Sequence, residues 1–138
     1  MSIAERVPII MANRTPLISW TADAVNDGPT SNTILIQWLA TSNNYVRWRS
    51  GESKRAMCQE IIADMRLHGI HHRNYHSIML RMTLLEGSYK QAYQWETTTG
   101  GFITAIGVDG HTTVSVREHL LRICRYWDKL DPIMRPII

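Results

Sequence analysis

Nowhere does the chain string together the ~20 apolar residues that a bilayer-spanning helix needs. Its apolar residues come instead in short, periodic sets, and no membrane partner is expected. Cysteine is almost missing: only Cys58 and Cys124 occur. Two thiols cannot knit the disulfide scaffold of a small secreted domain. Both fall on apolar stripes of helical patterns, which reads as buried free thiols in an intracellular chain. Near the N-terminus, Glu5 and Arg6 stand before only a short apolar run, so no secretory signal is read. Gly100-Gly101 lacks both the spacing and the following lysine of a phosphate-binding loop. No carboxylates pair in an acid–base context: Glu52, Glu60, Asp64 and Glu86 are spread along helix surfaces. Neither cysteine has a histidine-rich catalytic motif beside it. The expectation is therefore no enzyme, no catalytic residues and no cofactor. Internal repeats and low-complexity tracts are also lacking.

What is present fits a single globular domain. A length of 138 residues is enough for a real core. A hydrophobic content of 44% with 20% charged residues sets the chain apart from disordered sequences. Five Trp and five Tyr stand against one Phe, an aromatic load that suits the core of a small helical domain. Net charge is +3, with a pI of about 9.1. The excess is local: residues 47–90 hold eight Lys or Arg against four acids, while residues 1–30 hold two against three. That places positive charge in the middle of the chain, where a polyanion could be met.

In chain order, Pro8, Pro16 and Pro29 break any long helix over residues 1–30, and Asp27-Gly28-Pro29 signals a turn. Trp20 is expected to tuck back on the core. Thr30 or Ser31 can cap a first helix that carries Ile34, Leu35, Trp38 and Leu39 on one face. NNYVRWRSG reads as a short connector anchored by Tyr45 and Trp48. Ser53 opens a second helix, with Met57, Ile61 and Met65 recurring every four residues, and Gly69 stops it. After Asn74, a third helix puts Tyr75, Ile78, Met82, Leu85, Tyr89 and Tyr93 on one stripe. Its opposite side carries Arg73, His76, Ser77, Arg81 and Gln91, with Leu80 and Leu84 among them. Thr97 to Gly101 ends it, and a small hairpin is expected around Asp109-Gly110. Ser115 and Glu118 form a capping box that opens a fourth helix, which Pro132 stops.

A helix, a glycine turn and a second helix with a polar, partly basic outer face is the shape of a helix-turn-helix. On that reading, the segment from Arg73 to Arg81 faces the major groove of DNA. One arginine could read a guanine edge while the other holds a phosphate. His72, Asn74, His76 and Ser77 would add hydrogen bonds, and Arg47, Arg49, Lys54 and Arg55 would grip the flanking backbone. His72 and His76 also have helical zinc-ligand spacing, but a tetrahedral site needs two more ligands and no cysteine pair stands near. They are read as capping, packing or DNA-touching groups, with no metal.

The order of blocks carries a resemblance. TSNTILIQWL, NYVRWRSG, SKRAMCQEI, GIHHR, EGSYKQAYQW with TTTGG after it, and YWDKLDPIM together resemble Myb/SANT-like domains of the trihelix and MADF kind, in particular the fungal-type versions. The resemblance covers roughly residues 20 to 135. It implies an all-α fold, with a three-helix Myb/SANT-like helix-turn-helix core, a C-terminal fourth helix and an irregular N-terminal arm over residues 1–19. It implies aromatic core positions at Trp38, Trp48 and Tyr89, and a recognition segment at His72, Arg73, Ser77 and Arg81. The function expected is sequence-specific double-stranded DNA binding in the nucleus, as a transcription regulator or a transposon-derived protein. The alternative is a SANT-type module that docks on a nuclear protein or forms a homodimer, with Leu80, Leu84 and the fourth helix as the contact.

Overall fold

The computed structural model describes residues 18–98 and 115–137. Within them the chain is all helical: α1 (Ser31–Ala40), α2 (Asn44–Arg49), α3 (Lys54–Leu67), α4 (Tyr75–Thr98), α5 (Val116–Ile123) and α6 (Trp127–Met134). No strand occurs among the described residues. The hairpin expected around Asp109-Gly110 and the arm before Ile18 lie outside them.

Four of the six described helices start at short polar residues that satisfy orphan backbone groups. Thr30 accepts from the Thr33 amide, Ser53 from Ala56, and Ser115 from Glu118. Ahead of α4 the Asn74 and Ser77 side chains cap reciprocally: Asn74 Oδ1 accepts from the Ser77 amide, and the Asn74 amide donates to Ser77 Oγ. Gly69 ends α3 at φ +83°. The Gly69 amide donates to Arg66 and the Ile70 amide to Met65, the paired bonds of a Schellman close.

Two elements differ from the sequence expectation. NNYVRWRSG is not a connector but holds the six-residue helix α2. Nothing between Asn44 and Arg49 breaks a helix, and Tyr45 and Trp48, three apart, bury on one side of the turn. The fourth helix is two. Cys124 is extended, at φ −131° and ψ 103°, so α5 lies along α4 while α6 turns to pack on both α4 and α1. Pro132 does not stop the chain; it sits inside α6. The helix goes on to Met134 because Leu130 and Met134 are fully buried there, which offsets one lost backbone bond.

The core runs between α1, α3, α4 and α6, with Leu35, Ile61, Met65, Ile78, Met82 and Tyr89 at its centre. Trp38 meets Trp48 edge to face at 6.3 Å, and Tyr89 stacks on Trp127 at 5.1 Å. Cys58 and Cys124 are buried free thiols; burial raises the Cys58 thiol to about 11, which leaves it inert. Residues 18–30 form no helix, yet they strap across the α3–α4 corner. A Cβ at Gly69 would stand 3.0 Å from Val25 Cγ1, so the strap and the turn meet closely there.

That contact yields a paired prediction. Gly51 has φ +90° and open space around it, so Gly51→Ala carries only the left-handed backbone cost, roughly 1–2 kcal/mol. Gly69→Ala carries that cost and must also push Val25 away. Urea unfolding of both variants is expected to show the larger loss for Gly69→Ala. Equal losses would mean that the strap does not press on the turn.

Candidate nucleic-acid interface

The α3–α4 corner is built around Asp23, whose side chain is only 2% exposed. Its carboxylate accepts from the Ser31 amide at 2.8 Å, from the Ser31 hydroxyl, from His72 Nε2 at 2.9 Å and from Arg73 Nη2 at 3.0 Å. Burial alone would raise its pKa. The Ser31 bonds and the Arg73 cation outweigh burial and hold the carboxyl below its usual range.

Arg73 and Arg81 were expected on an outward face, and both turn inward. Arg73, 7% exposed in its side chain, also donates to Ser31 Oγ and to the carbonyls of Ile18 and Ser19. Its guanidinium lies 4.0 Å from the centre of the Trp20 ring. Arg81 donates twice to Asn32 Oδ1, at 3.0 and 2.7 Å, and lies 5.5 Å from the same ring. Two arginines on one tryptophan gain cation–π and stacking contacts that solvent does not offer. Ser77 spends its hydroxyl on the cap with Asn74. His72 is committed to Asp23.

The flanking cations divide as well. Arg47 bonds Glu60 at 2.6 and 3.1 Å and Glu52 at 3.4 Å, and these bonds lower the Glu60 carboxyl. Lys54 donates to the Trp48 carbonyl and lies over its ring at 4.5 Å. Arg49 donates to the Tyr45 hydroxyl at 3.2 Å. Of the expected site residues, Arg49, Arg55, His72, Asn74 and His76 are exposed, and Arg55 and His76 meet at one ring. Arg55 covers the Tyr75 ring at 4.2 Å, and His76 meets the same ring edge-on at 5.4 Å.

The structure adds two residues that the sequence reading passed over. Arg66 and Gln59 line an open groove of about 440 Å³ together with Arg55, Cys58, Ile62 and Tyr75. The signal was available: 55, 59, 62 and 66 share one helical face. The charges of α3 therefore segregate. Glu60 turns to α2 and Trp38, Asp64 lines a hollow with Trp38 and His68, and Arg55 and Arg66 face the head of α4. Among the described residues, neither arginine has a carboxylate partner, and no group of three His, Cys, Asp or Glu could hold a metal ion.

No protein-family model, no curated protein and no solved structure matches this chain.

Asp23 gives a pH prediction. Its folded pKa is depressed, so its stabilisation is complete above the unfolded value of about 3.9 and is lost as pH falls through the lower folded value. Asp23→Asn leaves Arg73 buried without its anion and is expected to cost on the order of 3 kcal/mol near neutral pH. Denaturant titrations should show the gap between wild type and variant closing below pH ~4. A gap that stays constant with pH would mean that Asp23 acts by shape and not by charge.

Proposed function

We propose that this chain is a Myb/SANT-like domain that binds double-stranded DNA in the nucleus, as a transcription regulator or a transposon-derived protein. On this reading α3, the Gly69 turn and α4 form the helix-turn-helix, and the head of α4 approaches the major groove. Asn74 and His76 offer hydrogen bonds to base edges there. Arg55, Gln59 and Arg66 run along the adjacent face of α3 and hold the phosphate backbone. Arg73, His72 and Arg81 fix the angle of α4 and do not touch bases.

The observation that carries the reading is the carboxylate-free groove of Arg55, Gln59, Arg66 and Tyr75 at the start of the longest helix. Unpaired cations beside a helix N-terminus suit phosphate, because the helix dipole adds to their field. The order of sequence blocks supports it independently.

Anisotropy on a mixed-sequence duplex tests it. Affinity should fall steeply with salt, since phosphate contacts release counterions. Arg55→Glu with Arg66→Glu should weaken binding by roughly tenfold or more and flatten the salt slope by about two. Arg73→Ala should lower the melting temperature while leaving the motif selected from a random duplex pool unchanged. A chain that ignores duplex DNA at low salt, or an Arg55/Arg66 double variant that binds normally, would falsify this reading.

A further inference from the structure

We propose that the groove between the 18–21 strap, α4 and the α5–α6 corner binds an acidic peptide segment of a protein partner, anchored by a leucine or aromatic side chain. This inference is independent of the duplex reading, because it uses a different part of α4. It gives the protein-docking alternative raised by the sequence a defined partner chemistry.

The groove has a volume of about 580 Å³, within the range of small binding clefts. Trp20, Leu84 and Tyr126 supply apolar wall, and Leu84 is 56% exposed among the described residues. Arg81, Arg122 and Arg125 line the same groove, and among the described residues no aspartate or glutamate does. Arg122 and Arg125 are exposed, and among the described residues neither has a carboxylate partner. Arg81 is recessed; it donates to the neutral Asn32 side chain and lies beside the Trp20 and Tyr126 rings. Burial and the nearby Arg73 and Arg125 charges disfavour its cationic form, and an incoming carboxylate relieves that cost.

Charge and shape together select the occupant. A peptide that alternates acids with a bulky apolar residue satisfies both halves of the groove. A duplex presents convex rows of phosphate, which protruding cations meet better than a recessed Arg81 beside an apolar wall. A second copy bound face to face would set these arginines against their own equivalents.

The test uses the full chain and a fluorescein-labelled peptide of Asp and Glu surrounding Leu and Trp. Binding should be saturable and should weaken as salt rises. Arg122→Glu with Arg125→Glu should weaken it by roughly tenfold or more. Leu84→Asp should do the same at unchanged helicity, since Leu84 is exposed. A peptide with Lys in place of every acid should not bind, and Arg55→Glu with Arg66→Glu should leave peptide binding intact. The inference is overturned if the acidic peptide does not bind, if the lysine peptide binds equally, or if the Arg122/Arg125 variant binds peptide normally. It is equally overturned if that variant loses duplex DNA instead, or if sedimentation shows Leu84→Asp dissolving a dimer whose groove takes no peptide.

Discussion

One buried carboxylate ties this molecule together. Asp23 gathers four donors from two distant places in the chain: the amide and hydroxyl that begin α1, and the two side chains that precede α4. A charge taken from water costs several kcal/mol unless a cation and hydrogen bonds replace the lost hydration. Here the replacement is thorough, since Arg73 supplies charge and Ser31 supplies two short local donors. The amide of Ser31 is also one of the orphan donors at the start of α1. The same carboxylate thus caps one helix and aims another. The cost is functional: Arg73 cannot hold Asp23 and also reach a base edge.

The pattern repeats in milder form around the domain. Glu60 holds Arg47, Glu96 and Asp131 hold Arg135, and Asp128 holds Arg117. Most exposed pairs of this kind add little stability. What they do is remove those arginines from the pool of available cations. Among the described residues, the cations left without a carboxylate include Arg55 and Arg66 on α3, and Arg122 and Arg125 beside α4 and α5; Arg49, Lys54, Arg81, Lys90 and Lys129 are the others. A net charge of +3 spread evenly would be weak bait for any partner. Where two cations line one groove, as Arg55 with Arg66 and Arg122 with Arg125 do, the local field is stronger.

Local signals in the sequence read well where the physics is local. Thr30, Ser53, Asn74 and Ser115 cap their helices within three residues, and the Gly69 stop depends on its own backbone. The apolar stripes of α3 and α4 likewise needed only a period of 3.6. The extension of Cys124 was hidden, because Leu120, Cys124 and Trp127 fit one continuous stripe equally well; the break appears only when α6 must reach α1. The inward turn of Arg73 and Arg81 was hidden for a sharper reason. Their partners, Asp23 and Asn32, lie about fifty residues earlier, and a helical wheel for α4 contains neither. Asp23 itself sat in a stretch with no period to mark it. Gln59 and Arg66 were legible on the wheel of α3, where they share a face with Arg55.

On the two proposed readings, the length of α4 would let one helix serve two partners. His76 stands in its first turn and Leu84 about two turns further on, roughly 12 Å along the axis. At physiological ionic strength the Debye length is about 8 Å. Phosphates at the head of α4 and carboxylates beside Leu84 would therefore repel only weakly through solvent. Within the protein the two places are joined by contact, since Arg73 and Arg81 share the Trp20 ring. Arg73 is locked by Asp23, but Arg81 is held by a neutral amide and can be drawn toward an incoming acid. The strap from Ile18 to Asp23 touches both places: it lines the groove beside Leu84 and bonds Arg73 just ahead of α4.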